Sequence, residues 1–441
     1  MASATYTTPG VYIEEDASLS LSINSSPTAI PVFIGKFFKK DGSQPVKGSC
    51  IRIANWLDFT SQFLLSPGVS VKATAEDSDT KTYTYAATVT ATSPSAFAIQ
   101  HYFNNGGGIC YLLPLIETDQ SAVTTELATL PNLIEKQQEI TLLVCPETDD
   151  TLVNCTKQEV YSAVNPLLKD KVGYFLIADR KDGTEKLGTQ LDKTAVYYPD
   201  LVTSFTYSRP TDADIALSGY DDKANLAVLK DASPEEYAKA KKAVDNAWST
   251  NVPTTPITLP PSAAVAGAYA ATDANRGVWK APANLALNNA KPSVAITDTD
   301  QGTMNKAGIN VIRAFTGKGT LIWGARTLDE TDNWCYIPVR RLFNAAERDI
   351  KKAMQFAVFE PNSQPTWKRV QAAIDNYLYQ LWQQGALAGN KPQEAYFVQI
   401  GKGVTMSDTD IQQGKMIVKV GMAAVRPAEF IILQFSQNVA Q

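Results

Sequence analysis

The sequence predicts a multidomain α/β protein with an α+β C-terminal part and extended ends, on three observations. A strand, a helix and a second strand between residues 140 and 178 have the spacing of a right-handed crossover in a parallel sheet. Two amphipathic helices and then three short apolar runs fill the last quarter of the chain, the order of an antiparallel sheet on a helical layer. Ser18-Leu19-Ser20-Leu21-Ser22-Ile23 alternates apolar and hydroxyl side chains with the period of a half-buried strand, yet nothing adjacent offers a hairpin partner.

At 441 residues, 44% of them hydrophobic and 19% charged, the chain can bury more than one core, which sets an expectation of two or three domains. The opening residues are polar and uncharged, so no secretory signal is expected. No apolar run approaches the roughly 18 residues of a membrane span; the run 430–433 is strand-sized. Synthesis in the cytoplasm, with retention there until a larger particle leaves the cell, is the expectation.

Pro9-Gly10 reads as a turn and Val11-Tyr12-Ile13 as a short extended run. Asn24-Ser25-Ser26-Pro27 links the alternating segment to a buried strand at 30–34. A terminal strand without a local partner is a tail, an edge strand, or a strand donated to another molecule. Six ladder hydrogen bonds contribute roughly 3–9 kcal/mol, and burying Leu19, Leu21 and Ile23 about 5–9 kcal/mol. Fixing six backbones costs about 6–12 kcal/mol. The balance is favourable by a few kcal/mol only where a sheet edge is available, so the arm should order on assembly.

Residues 29–206 read as α/β. The buried strand 140–145 stops at Pro146, a helix at 157–169 carries Val160, Val164, Leu167 and Leu168 on one face, and strands follow at 172–178 and 196–199. Two stretches read as additions to this core. Residues 66–95 are rich in Thr, Ser and Ala with strand-like alternation through Tyr83 and Tyr85. Residues 208–253 hold a helix announced by Ser233-Pro234-Glu235-Glu236, with Tyr237, Ala240, Val244 and Trp248 as its apolar stripe. Both are expected to be outward-facing subdomains.

In the C-terminal part, a helix at 342–356 packs through Leu342, Ala346, Ile350 and Ala353 and leaves Arg348, Lys351 and Lys352 on its other face. A second helix at 366–384 presents Trp367, Val370, Ile374, Tyr377, Leu378 and Leu381 at helical spacing and is closed by Gly385 and Gly389. Strands are expected at 396–400, 416–420 and 430–435, the last running almost to the end.

The residues that catalysis needs are scarce. His101 is the only histidine, in an amphipathic stretch that suits a hydrogen-bonded structural role. Asn105-Gly106-Gly107-Gly108 precedes a strand where a dinucleotide fingerprint would follow one, and Gly317-Lys318-Gly319-Thr320 lacks the spacing of a phosphate loop. Asp149-Asp150 and Asp221-Asp222 sit in turn-like, solvated surroundings. Cys50, Cys110, Cys145, Cys155 and Cys335 are odd in number and form no Cys-x-x-Cys pair, so neither zinc nor a disulfide framework is expected. The net charge of −5, with no basic tail, points away from nucleic acid. It is uneven: from residue 321 onward 13 Lys+Arg face 11 Asp+Glu (+2), and the remainder carries 27 against 34 (−7). No enzyme activity, metal or cofactor is expected.

Ordered motifs then carry a resemblance. They begin with Pro9-Gly10-Val11-Tyr12-Ile13-Glu14-Glu15 and continue through Pro260-Pro261-Ser262 and Val265-Ala266-Gly267 to Asp273-Ala274-Asn275-Arg276-Gly277-Val278-Trp279-Lys280-Ala281-Pro282-Ala283-Asn284. Gly308-Ile309-Asn310, Trp323-Gly324-Ala325-Arg326-Thr327-Leu328 and Val339-Arg340-Arg341-Leu342 come next. Phe359-Glu360-Pro361-Asn362, Thr366-Trp367, Gly385-Ala386-Leu387-Ala388-Gly389 and Pro427-Ala428-Glu429-Phe430 complete the series. In this order they resemble the contractile tail sheath proteins over about half the chain, densely from residue 259. The two additions have no counterpart in the minimal family pattern.

The resemblance implies a structural subunit that forms stacked six-fold rings around an inner tube and contracts to drive the tube through a membrane. It implies a central α/β domain of subtilisin-like but non-catalytic fold. The expected division is an N-terminal arm (1–25), an outer and central α/β domain (26–325), a C-terminal α+β domain lining the tube (326–428) and a C-terminal arm (429–441). The arms would add strands to neighbouring subunits through Val11, Tyr12, Ile13, Leu19, Leu21 and Ile23 at one end and Ile431, Ile432, Leu433 and Phe435 at the other. Arg348, Lys351 and Lys352 are the candidate tube contact. Implied partners are the chain itself, inner tube, baseplate and terminal cap proteins, and sister sheath paralogues; nucleic acid and membrane insertion are not implied. A capsid-like or other non-sheath assembly protein, and an α/β hydrolase-like enzyme, are the competing readings.

Overall fold

A computed structural model describes residues 23–40, 45, 47–77, 82–90, 93–180, 187–221 and 223–431. The chain divides into two compact units, one built from Ser26–Arg348 with residues 424–431, the other from Asp349–Ala423.

The larger unit is organised on a nine-stranded sheet. Its strands, in chain order, are β1 (Pro31–Gly35), β2 (Ile51–Ile53), β3 (Cys110–Pro114), β4 (Leu142–Val144), β5 (Phe175–Asp179), β6 (Thr194–Tyr198), β7 (Leu285–Ala286), β8 (Ile309–Phe315) and β9 (Gly319–Trp323). They lie in the order β7-β9-β8-β6-β5-β4-β1-β3-β2. The six strands from β8 to β3 are parallel, and antiparallel strands close both edges. Central strands buried on both faces read as continuous apolar runs, which is why 31–35, 110–114 and 175–179 show no polar alternation.

Successive side chains still point to opposite faces, and two separate cores result. Phe33, Leu112, Phe175 and Tyr197 pack on one side with Phe97, Ile99 and Tyr102 of helix α1 (Ser95–Asn104). Val32, Ile34, Leu143, Leu176 and Val196 pack on the other with α2 (Gln120–Glu135) and α3 (Lys157–Asp170), whose buried residues include Val160, Val164, Leu167 and Leu168. A reciprocal capping box between Thr156 and Glu159 starts α3. Helix α4 (Ser262–Arg276) joins the first core, and Gly267 lets it approach α1: a Cβ there would stand 2.4 Å from the Tyr102 carbonyl oxygen.

The two additions do not form separate subdomains. Val69–Asp77 pairs antiparallel with Thr82–Val89 and parallel with Ala216–Ser218, so one three-stranded sheet draws on both stretches. Val69, Val71 and Ala73 meet Ile215, Leu217, Leu226, Leu229, Ala240 and Val244 in a single core. The physical reason is that a two-stranded ribbon with one apolar face cannot bury it alone. The helix Pro234–Asn251 supplies the cover, and Tyr85 donates to Glu236 at 2.8 Å.

Helix α5 (Ile337–Ala353) begins five residues earlier than its periodicity predicts, and a 3-10 turn, Met354–Ala357, follows it. The early turn is hidden in the sequence because Arg340 and Arg341 look like solvent residues, whereas both are buried in ion pairs. In the smaller unit, α6 (Gln364–Gln383) buries Val370, Ile374, Tyr377, Leu378 and Leu381. Tyr396–Ile400 pairs antiparallel with Val418–Met422, two residues beyond the predicted strand. The strand expected at 430–435 is not seen where it is described: Phe430 and Ile431 are exposed and outside any strand, and the rest lies outside the described residues.

Candidate functional site

The two-stranded sheet of the smaller unit has one covered and one open edge. Gln371 of α6 donates to the Val398 carbonyl at 3.0 Å, so the Val398 backbone points away from its partner strand. Val398 and Val420 are therefore a non-hydrogen-bonded pair. The bond from the Ala423 N–H to the Ala395 carbonyl, 2.8 Å, has the same parity. It follows that Val418, Val420 and Met422 turn their N–H and C=O groups outward, and no strand lies beside them among the described residues. Gly421 is needed on the other face: a Cβ there would come within 2.2 Å of the Phe397 ring, which covers the glycine from the paired position. An unpaired row of backbone groups on a half-buried apolar strand is a template for strand addition.

Both ends of the described chain are anchored in the larger unit by ion pairs, the N-terminal one buried and the C-terminal one half-buried. On the N-terminal side, the Thr28 hydroxyl donates to Asp273 at 2.5 Å, and Arg341 makes a bidentate contact with Asp273 at 3.0 and 2.6 Å. Arg341 also donates to the Thr28 carbonyl at 3.1 Å and lies over the Tyr269 ring, 4.6 Å from its centroid. About two turns further along α5, Arg348 donates to the carbonyls of Ser26 and Pro27. On the C-terminal side, Arg326 grips Glu429 through Nε and Nη2, the shortest contact being 2.6 Å, and Asn305 donates to the same carboxylate at 2.7 Å. Burial raises the Glu429 carboxyl, but the Arg326 and Asn305 hydrogen bonds outweigh it and hold it below the ordinary carboxylate range. Phe430 and Ile431 emerge exposed immediately beyond this grip.

The sequence-predicted residues are therefore placed as follows. Ile23 is buried, Ile431 is exposed, Lys351 and Lys352 are exposed, and Arg348 is engaged with the backbone at 26–27. Val11, Tyr12, Ile13, Leu19, Leu21, Ile432, Leu433 and Phe435 lie outside the described residues.

In open α/β sheets, ligands enter at the carboxyl ends of the strands, where the winding direction reverses. Here that point lies between β1 and β4, and it is filled by the chain itself. The buried Glu147 carboxylate accepts from the Lys36 N–H at 2.7 Å and from the hydroxyls of Ser93, Ser95 and Thr151 at 2.9, 2.6 and 2.5 Å. Beside it, Asp179 binds Lys157 at 2.7 Å and both the amide and hydroxyl of Ser262 at 2.7 and 2.6 Å. His101 is fully buried in α1 with Nε2 2.9 Å from the Asn288 carbonyl, and burial takes its imidazole down to about 4. Gly317 and Gly319 sit at positive φ in the hairpin between β8 and β9. Among the described residues no group of three or more His, Cys, Asp or Glu is placed to hold a metal, and no helix is long and apolar enough to cross a membrane.

Residues 220–328 match the phage tail sheath protein central domain, and residues 329–438 the phage tail sheath C-terminal domain. The chain is 45% identical to a chain of the anti-feeding prophage helical sheath in its contracted state, over 98% of this chain and 100% of that one, with a TM-score of 0.72. This chain belongs to the contractile tail sheath family. A second sheath, from the PVC extracellular contractile injection system in its contracted state, is 38% identical over 99% of both chains, with a TM-score of 0.68. A chain of the anti-feeding prophage baseplate is 44% identical over 99% and 100%, with a TM-score of 0.71.

Two curated relatives match over shorter stretches. The tail sheath protein of Vibrio phage KVP40 is 29% identical over 27% of this chain, and a major tail sheath protein of a Pseudomonas aeruginosa UCBPP-PA14 prophage, itself named as putative, 26% over 38%. The matches span 19% and 44% of those relatives' own lengths.

Within this sheath-family chain, the motif residues that carry the resemblance have a physical job that the sequence did not disclose. Asp273, Arg326, Arg341 and Glu429 come from four separate motifs and together make the two anchors. The available signal was a set of charged residues embedded in otherwise apolar motifs; their partners are too distant in sequence to be inferred by spacing.

Proposed function

We propose that this chain is the structural subunit of a contractile sheath, which polymerises as helically stacked hexameric rings around an inner tube. Contraction of that array drives the tube through a target membrane. The open Val418–Met422 edge, in a chain 45% identical along its length to the contracted anti-feeding prophage sheath, is the observation that carries the reading. Residues 1–25, through Val11, Tyr12, Ile13, Leu19, Leu21 and Ile23, and residues 429–441, through Ile431, Ile432, Leu433 and Phe435, serve as arms that add strands to neighbouring copies. Residues 26–325 form the outer and central domain, with 66–95 and 208–253 as its outward addition, and 326–428 face the tube. Arg348, Lys351 and Lys352 mark the tube contact; since Arg348 already binds two backbone carbonyls, the exposed lysines bring most of the available charge.

The extended array stores assembly energy and releases it in a shorter, wider state with more intersubunit burial. The chain acts without enzymatic chemistry, cofactor or nucleic acid. It is made in the cytoplasm and inserts no segment in a membrane. Baseplate, terminal cap and inner tube proteins, and any sister sheath paralogues, are its partners; the likeness to a baseplate chain supports the first of these.

Electron microscopy of the purified chain beside a deletion of residues 1–25 tests the reading. Long helical tubes that vanish on deletion are expected. If both stay dispersed, inner tube protein is added as a template, and failure to assemble on it would overturn the proposal. Normal tubes from the deletion would remove strand donation from it.

A further inference from the structure

Phe359 is fully exposed, at the tip of the loop between the 3-10 turn and α6. Val358 has φ −70° and ψ 127°, Phe359 has φ 69°, and the Glu360 N–H bonds back to the Ala357 carbonyl. This is a type II turn with phenylalanine at the position ordinarily held by Gly or Asn. A left-handed backbone at a bulky residue is strained, and an exposed phenyl ring is unfavourable in water. No contact within the unit offsets either cost, since the ring touches almost nothing. Such residues occur where a partner surface supplies the missing contact.

The same unit carries a cleft of about 390 Å³, lined among others by Gln364, Trp367, Lys368, Gln371, Ile400 and Lys402. Its apolar wall is firm: the Trp367 indole N–H is tied to Asn362 at 2.7 Å, and Ile400 belongs to the paired strand. Lys402 is matched by Asp408 at 2.5 Å, whereas Lys368, the other cation on the rim, donates only to the neutral Gln371 side chain at 3.4 Å among the described residues. The exposed Glu360 follows Phe359 directly.

We propose that Phe359 is an assembly anchor that inserts into this cleft on a second copy of the chain, with Glu360 meeting Lys368. The contact joins the Phe359 turn of one copy to the Trp367 cleft of the next, so it can be repeated from copy to copy along an open array. The proposal rests on the self-assembly reading above but not on strand donation.

The test measures the concentration at which tubes form, by sedimentation, for F359G, E360K, K368E and the double variant E360K/K368E. Inner tube protein is added as template if the wild type needs it. F359G relaxes the turn, so its thermal midpoint should equal or exceed that of the wild type, while its critical concentration rises about 30-fold or more. Each charge reversal should also impair assembly, and the double reversal should restore it. Assembly of F359G at the wild-type concentration would overturn the proposal. So would failure of the double reversal to recover, or a defect of F359G confined to tube binding. An impaired F359G beside a fully competent 1–25 deletion would sink strand donation and leave the anchor standing.

Discussion

Replacing Arg341 with Met isolates how far a buried charge holds the N-terminal root in place. The Arg341 and Asp273 side chains are 3% and 6% exposed. Methionine keeps an apolar stem against Tyr269 but leaves the Asp273 carboxylate with the Thr28 hydroxyl as its main donor. Removing one member of a buried pair costs about 3–5 kcal/mol, because the other charge stays desolvated. At about 2.1 cal/mol/K per residue, a unit of this length unfolds with an entropy near 0.7 kcal/mol/K, so the midpoint should fall by roughly 4–7 °C. Adding D273L removes the stranded charge. The double variant should then cost less than the sum of the two singles by about 2 kcal/mol or more. Thermal denaturation followed by circular dichroism measures the cycle, and amide exchange around residues 26–30 should quicken in R341M. A single-variant cost below about 1 kcal/mol, or strict additivity in the cycle, would show that the pair does not hold the root.

Two further outcomes follow from the geometry. Burial holds the His101 imidazole down to about 4, against about 6.5 unfolded, so between those values only the unfolded chain takes up the proton. Stability should therefore fall by about 3 kcal/mol as the pH drops from 6.5 to 4; urea midpoints across that window should flatten in H101Q, and an unchanged slope would assign the acid sensitivity elsewhere. Val420 turns its N–H toward the open edge, so V420P should leave the monomer within about 1–2 kcal/mol of wild type while abolishing tube assembly. K419P, at a hydrogen-bonded position, should disrupt the strand pair itself, and normal assembly of V420P would disprove strand addition at that edge.

Helices α3 and α6 were legible because each buries one face and so writes a 3.6-residue period into the sequence. The start of α5 was not, because its first turns hold Arg340 and Arg341, whose burial depends on Asp192 and Asp273 far away in the chain. Alternation through Tyr83 and Tyr85 announced a half-buried strand but carried no information on its partners. Joining 66–95 to 208–253 required the parallel pairing of Leu217 with Val71. The open edge was similarly out of reach: Gly421 weakens the strand signal, and only the Phe397 ring across from it makes the glycine a natural occupant. Phe359 lay within a recognised motif, yet its exposure follows from a turn whose conformation its residue type does not favour.

The single module made from two separated stretches has a consequence for how such chains can change. Its entry and exit meet at a neck where the Ser208 N–H donates to the Ser66 hydroxyl at 2.9 Å. Arg209 and Asp245 form an ion pair nearby. Either stretch alone would expose half of a core, so loss or exchange of one would strand the other. The module is heritable and transplantable only as a pair of coordinated cassettes, and a cargo meant to replace it must be spliced into both loops with its own ends brought together at the neck.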